Sequence, residues 1–262
     1  MREAGRMVAE VLRLMQELVA PGVTTGDLNE AAHQRMRELG GTPSFLGYMG
    51  YPAVLCISVD DEVVHGIPGR CEFRGAQTPD KMLAAGQLVS VDCGVICDGF
   101  HGDSAVTLPV GEITPEASYL LETCRLGLWG GIEQVRPGAK VSDIARAIEG
   151  AIRARETTAT GKFGIVEEYV GHGIGRELHE PPQVPNYVSR FALRTDTVLE
   201  PGMVIAIEPM VNAGGRHCRT LRDGWTVVTK DGRLSSHFEH TVAVLEDGFE
   251  VFTKRADGSA TH

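Results

Sequence analysis

Leu83-Ala84-Ala85-Gly86-Gln87-Leu88-Val89-Ser90-Val91-Asp92 is answered further along the chain by Leu199-Glu200-Pro201-Gly202-Met203-Val204-Ile205-Ala206-Ile207-Glu208, at an offset of 116 (208 − 92). Each stretch is a Leu-x-x-Gly turn that runs into a β-branched segment and closes on an acid. The same offset carries Pro21-Gly22 and Asp27-Leu28 onto Pro137-Gly138 and Asp143-Ile144. Two separate segments sharing one offset are hard to obtain by chance. The chain is therefore read as one domain over residues 1–262, built from two similar halves of about 1–110 and 115–262.

Each half has the same order of elements. Apolar residues at helical spacing (Val8, Val11, Leu12, Met15, Val19) lead through the Pro-Gly turn to a second helix (Leu28, Ala31, Ala32, Met36, Leu39). Leu121, Cys124, Leu128, Ile132 and Val135, then Val141, Ile144, Ala145, Ile148 and Ile152, repeat the pattern. Strands follow the helices both times: Val54–Val59, Leu88–Ile96 and Ala105–Leu108, then Val204–Val211, Thr226–Thr229 and Thr241–Leu245. Strands and helices grouped apart predict an α+β fold, an antiparallel sheet covered on one face by helices.

Composition narrows the function. At 262 residues, 42% hydrophobic and 23% charged, with a mean hydropathy of −0.07, the chain has enough apolar residues for a core and reads as a soluble globular protein. Its net charge of −10 and the lack of any basic run argue against nucleic-acid binding. Glu10, Arg13 and Glu17 interrupt the first helix too often for a signal peptide, and no run approaches the roughly 20 apolar residues of a membrane span, so a cytoplasmic location without membrane binding is expected. The six cysteines form no framework and are expected as free thiols; Cys93 and Cys97 lack the second pair that a structural zinc site needs.

Asp92 and Glu208 end the repeated strands, and each has a partner further on. Asp92 is followed, after Asp98-Gly99, by Asp103, and Glu208 by Glu239; both partners open an apolar returning segment. Taken singly, each acid reads as a solvated strand end. Four at related places would repel and suffer desolvation unless a cation sat among them. His172, in Gly171-His172-Gly173-Ile174-Gly175, supplies one nitrogen. Oxygen ligands with one imidazole suit Mn, Fe, Co or Zn, and carboxylate bridges suit a pair of ions. His65, in His-Gly-Ile-Pro, and His179, in His-Glu-Pro-Pro, stand 114 apart (179 − 65), close to the repeat, and suit hydrogen bonding to a scissile carbonyl and its oxyanion. His33, His101, His217, His237, His240 and His262 receive no role.

With these residues in place, the chain resembles the type I methionine aminopeptidases of the short bacterial kind. The resemblance is carried by Val91-Asp92, Asp98-Gly99-Phe100-His101-Gly102-Asp103, Gly171-His172-Gly173-Ile174-Gly175 with His179-Glu180-Pro181, Ile207-Glu208-Pro209-Met210, Asp223-Gly224-Trp225-Thr226 and Glu239-His240-Thr241, from about Met1 to Phe252. It implies a pita-bread fold with two pseudo-symmetric halves and a dinuclear metallohydrolase that removes the initiator methionine from nascent proteins, preferring a small second residue. Two divalent ions would be held by Asp92 on one side, His172 and Glu208 on the other, and Asp103 and Glu239 between them, with a metal-bound hydroxide as nucleophile. His65 would contact the peptide nitrogen beyond the scissile bond and His179 the carbonyl and tetrahedral intermediate, with Glu208 as proton shuttle. The methionine pocket would be Tyr48, Tyr51, Cys56, Leu178 and Trp225, residues that read as core without this context. A monomer acting on nascent N termini, with transient ribosome association, completes the expectation.

Four departures accompany the resemblance. Met1 stands almost at the first helix, where relatives carry a short strand-forming segment, so the native protein is expected to begin upstream or to lack that edge strand. Gly69–Met82 is longer than usual and receives no function. Leu178 stands where an aromatic residue is common, which softens the pocket wall. The eukaryotic zinc-binding extension and the type II helical insertion are both missing, since His179 and Glu208 stand only 29 positions apart (208 − 179). The alternatives are an Xaa-Pro peptidase of the same scaffold, which would add an N-terminal domain, and a pita-bread binding protein without catalysis, which would lack some of the five ligands.

Overall fold

The computed structural model describes residues 1–158, 161–188 and 196–254; His262 lies outside the described residues. Among the described residues, four α-helices, α1 (Arg2–Leu18), α2 (Thr25–Glu38), α3 (Pro115–Ile132) and α4 (Val141–Arg153), alternate in pairs with two groups of antiparallel strands. Thr24 caps α2: its Oγ1 accepts from Asp27 N at 3.2 Å while its own N–H donates to Asp27 Oδ2 at 3.0 Å, a capping box. The equivalent of Thr24 is Lys140, whose ammonium cannot accept. Only the return bond, Lys140 N to Asp143 Oδ2 at 2.9 Å, remains.

The repeat seen in the sequence recurs in the backbone. Gly22 N donates to Leu83 O and Gly138 N to Leu199 O (2.8 and 2.9 Å); Thr25 N donates to Lys81 O and Val141 N to Thr197 O (2.9 and 3.0 Å). Gly26 N donates to Asp80 Oδ1 and Ser142 N to Asp196 Oδ1 (2.9 and 3.0 Å). Donors and acceptors all move together by 116, so each helix pair is tied to its following strand in the same way. Gly22 and Gly138 both take positive φ (92° and 81°), which explains why each turn needs its glycine.

In the first half the long strands Leu88–Cys97 and Phe100–Pro109 form a hairpin turned at Asp98-Gly99, both with positive φ, as a two-residue type I′ turn requires. Leu55–Val59 and Thr42–Pro43 pair with the other edge of Leu88–Cys97. In the second half Val204–Ile207 lies between Gly171–Gly173 and His240–Leu245. The two halves join where Asp103 N donates to Thr241 Oγ1 (3.0 Å), Thr241 Oγ1 donates to Asp103 O (2.7 Å) and Glu239 N donates to Ala105 O (3.0 Å).

Alternation of side chains then sorts the residues. Val89, Val91, Cys93 and Val95, with Val106, Leu108, Ile205 and Val242, share one core with Val8, Leu12, Leu28, Met36, Leu128, Ile144 and Ile152 from the four helices. The intervening positions, Asp92, Asp103 and Glu208 among them, turn to the opposite side. The helix-covered face makes the core and the other face carries the acids.

The α+β arrangement of antiparallel strands and helices expected from the sequence is present, with the strands divided among several sheets, and the expected strand Val204–Val211 is interrupted. It stops after Ile207 and resumes as Met210–Asn212 in a separate sheet with Ser235–His237 and Gly164–Ile165. Pro209 has no N–H for the ladder, which explains the change of partner. Glu239 sits at the matching break between Ser235–His237 and His240–Leu245.

Candidate metal centre and pocket

The four acids and the imidazole singled out by their spacing line one cavity of about 230 Å³. Asp92 and Asp103 come from the two strands of the first-half hairpin, where Asp92 pairs with Ala105 and Gly94 with Asp103, so both acids project from the same face. Glu208 and Glu239 come from the two strand breaks of the second half. His172 is placed by its neighbours: a Cβ on Gly171 or Gly173 would collide with the carbonyl oxygens of Ala206 or Pro181, so only glycine lets the strand enter this closely. Its Nδ1 bonds to Gly173 O at 2.9 Å, an interaction in which the ring donates, leaving Nε2 as the acceptor.

Ligand atoms of Asp103, His172 and Glu239 all lie within 4.8 Å of one another, and Glu208 Oε1 is 3.5 Å from His172 Nε2. Burial pushes the Asp92 carboxyl up to about 7, and drives Asp103, Glu208 and Glu239 well above the usual carboxylate range, with the neighbouring acids adding to the effect. Asp92 Oδ1, Asp103 Oδ1 and Glu239 Oε1 are buried without any hydrogen-bond partner. Buried oxygens of this kind are normally satisfied. The donor set, with four carboxylates and one imidazole, fits hard to borderline divalent cations.

The shifts give a test with a definite sign. Burial lowers His65 and His172 to about 4 and His237 to about 3, so up to about pH 6.5 these groups favour the fold as pH rises and oppose the carboxylates. Above that pH the acids lead: their folded values exceed their unfolded ones, the native state binds more protons, and stability falls as pH rises, with the buried thiols Cys56, Cys93 and Cys124, pushed up by burial, adding a metal-independent fall of the same sign toward pH 8.5. In chelator, the melting temperature is expected to drop between pH 6.5 and 8, and saturating Mn2+ or Co2+ should remove most of the drop. A melting temperature indifferent to pH in chelator would contradict the crowded-carboxylate geometry.

Beside the acids lies an apolar recess formed by Tyr48, Tyr51, Cys56, Leu178 and Trp225, all lining the same cavity. Tyr51 donates its hydroxyl to Gly66 O (2.9 Å) and Leu55 O (3.1 Å) and meets Trp225 edge-on, with centroids 5.0 Å apart. Trp225 rides on a turn in which Asp223 Oδ1 accepts from Trp225 N (2.8 Å) and Thr226 N (2.9 Å). Leu178 is buried in the same apolar cluster. The other two predicted histidines line the same cavity. His179 Nδ1 lies 2.7 Å from Tyr48 Oη, its ring 4.3 Å from that of His172; His65 meets Tyr169 and Trp225 edge-on at 5.4 and 6.1 Å.

Several residues of the site carried no signal in the sequence. Phe45, Met49, Val64, Tyr169 and Val170 also line the cavity, beside Met210 of the Ile207-Glu208-Pro209-Met210 stretch. His237, given no role, places Nε2 3.7 Å from Glu208 Oε2. Gly69–Met82 contains a small hairpin, Glu72–Phe73 with Ala76–Gln77, turned at Arg74-Gly75. Phe73 packs against the pocket cluster, and Arg74 Nη1 donates to Arg222 O at 3.3 Å, which ties the hairpin to the turn bearing Trp225.

Residues 1–246 match the model of metallopeptidase family M24. The chain is 42% identical to methionine aminopeptidase 1 of Bacillus subtilis over 254 residues, covering 97% of this chain and 95% of that protein. It is 42% identical to the methionine aminopeptidase of Escherichia coli strain K12, covering 98% of this chain and 91% of that one. Among solved structures, methionine aminopeptidase from Thermotoga maritima superposes with a TM-score of 0.87 at 38% identity, over 97% of this chain and 95% of that chain. A prolidase from Pyrococcus horikoshii (TM-score 0.71, 20% identity, 97% of this chain and 60% of that one) shares the fold. With a family model covering nearly all of its length and relatives above 40% identity, the chain belongs to metallopeptidase family M24.

Proposed function

We propose that this protein is a metal-dependent aminopeptidase that removes the initiator methionine from nascent polypeptides. The observation that carries the reading is the union, in one cavity, of a five-residue ligand set with an apolar, partly aromatic recess. Asp92, Asp103, His172, Glu208 and Glu239 would hold two divalent ions, Co, Fe, Mn or Zn, with Asp103 and Glu239 shared between them. Ions bound there would supply Lewis acidity and a water activated at neutral pH.

The chain's own residues do the rest. Tyr51, Cys56 and Trp225 suit a thioether, which contacts aromatic rings favourably, and Tyr48 and Leu178 close the recess. His179, with Nδ1 engaged by Tyr48, presents Nε2 to the scissile carbonyl and its oxyanion. His65, kept neutral by burial, offers a ring N–H to the peptide beyond the scissile bond. Glu208 stands at the edge of the ligand set as the group that carries the proton to the leaving amine. The substrates are N termini of nascent chains, met in transient association with the ribosome by a cytoplasmic monomer that binds neither nucleic acid nor membrane. Among the described residues, no helix is long and apolar enough to cross a membrane.

Release of methionine from a Met-Ala-Ser peptide, lost in chelator and restored by added divalent ion, is the expected result. No release with any of the four ions would leave a binding protein as the reading.

A further inference from the structure

We infer that His237 is a positioning residue for Glu208: it donates Nε2–H to Glu208 Oε2 and so turns the other carboxylate oxygen toward His172. This rests on the two-ion reading above. The Glu208 carboxylate lies between two imidazoles, one beside each oxygen. His172 Nε2 is 3.5 Å from Oε1 and His237 Nε2 is 3.7 Å from Oε2. His172 sits among the ligand atoms, so Oε1 is the oxygen that faces an ion and Oε2 the one left for an outer partner.

His237 is built to be that partner. Its side chain is 2% exposed and Nε2 is buried without a hydrogen-bond partner, a state that native structures rarely tolerate. The residue has little freedom to move away. His237 N donates to Thr107 Oγ1 at 2.8 Å, Thr107 Oγ1 donates to His237 O at 2.9 Å, and the strand holding His237 pairs with Met210, two residues beyond Glu208. The Glu208 main chain is held as well, because Asn186 Nδ2 donates to its carbonyl oxygen at 3.1 Å. What remains free is the Glu208 side chain, and a shift of under ~1 Å closes 3.7 Å to hydrogen-bond length. Outer partners that orient a ligating carboxylate tune metal affinity without touching the ion.

The test compares His237→Leu, which keeps the apolar volume and removes the donor, with His237→Gln, which restores one. The full chain, stripped with chelator, is titrated with Co2+ and followed by calorimetry and by the visible absorption of the ion. The His237→Leu variant should lose about 10- to 100-fold in affinity for one of the two ions, and His237→Gln should recover most of it. Melting temperatures in chelator should match the parent for both, which separates positioning from folding. Unchanged affinity in His237→Leu overturns the inference. Failure of Gln to rescue, with an altered Co2+ spectrum, overturns it in favour of direct ligation. A parent chain that binds no Co2+ overturns the two-ion reading itself.

Discussion

Replacing Asp103 by Asn, or Glu239 by Gln, is expected to abolish methionine release while leaving the fold intact. Both side chains are buried and project into the shared cavity, and each has one oxygen without any partner. If they bridge two ions, the amide keeps the shape and removes the charge on which both ions depend. Losing Lewis-acid stabilisation of several kcal/mol corresponds to roughly a thousandfold or more in turnover. Stability should move the other way. In the ion-free chain these carboxyls are pushed up by burial and by one another, so a neutral amide relieves repulsion at pH 8. The variants should melt in chelator at or above the parental temperature and gain less from added ion. Turnover, bound metal by elemental analysis and melting curves check this together. Full activity in either variant, or after exhaustive chelation, would sink the two-metal mechanism.

The parts of this molecule that the sequence discloses are those fixed by local chemistry. Gly22 and Gly138 are required by positive φ, Gly171 and Gly173 by close carbonyls, and Asp92 and Asp103 lie on one face because a two-residue turn sets the register of their hairpin. Each leaves a mark within a few residues, and the offset of 116 multiplies the signal. What stayed hidden depends on partners far along the chain. Ser235-Ser236-His237 reads as a polar stretch, yet all three residues are buried because Thr107, 130 residues away, anchors the backbone there. Phe45 and Tyr169 enter the cavity from loops with no periodicity to betray them. The interruption of Val204–Val211 was legible in principle, since Pro209 cannot serve a ladder; the apolar run on either side masks it. Gly69–Met82 shows the same limit: its hairpin signal is local, but its contact with Arg222 is not.

Peptides Met-X-Ala-Ser are expected to be cleaved when X is Ala, Gly or Ser and to resist when X is Lys, Glu or Leu. The family supplies the rule, and the geometry offers a cause. On the proposed function the first side chain would enter a recess whose walls are soft: Trp225 against Tyr51, a buried thiol at Cys56, and Leu178. Such a wall distinguishes one methylene by only ~1–3 kcal/mol, so norleucine in the first position should still react. The second residue meets a different surface. Two ring clusters line the cavity there, Tyr48 with His179 and His172, and His65 with Tyr169 and Trp225, and on the proposed function the second residue would have to fit beside them. These rings are held by one another, and His179 is hydrogen bonded to Tyr48. A long second side chain has to displace them or tilt the scissile bond away from His179, and overpacking of this kind costs ~1–3 kcal/mol, about 10- to 100-fold in rate. The loss should appear in kcat/KM and grow with the size of X, not with its charge, so that Leu is rejected as firmly as Lys. Released methionine is measured across the panel. Equal rates for X = Ala and X = Lys would refute the steric account, whereas faster cleavage of an Xaa-Pro series would place the chain's activity with the prolidases whose fold it shares.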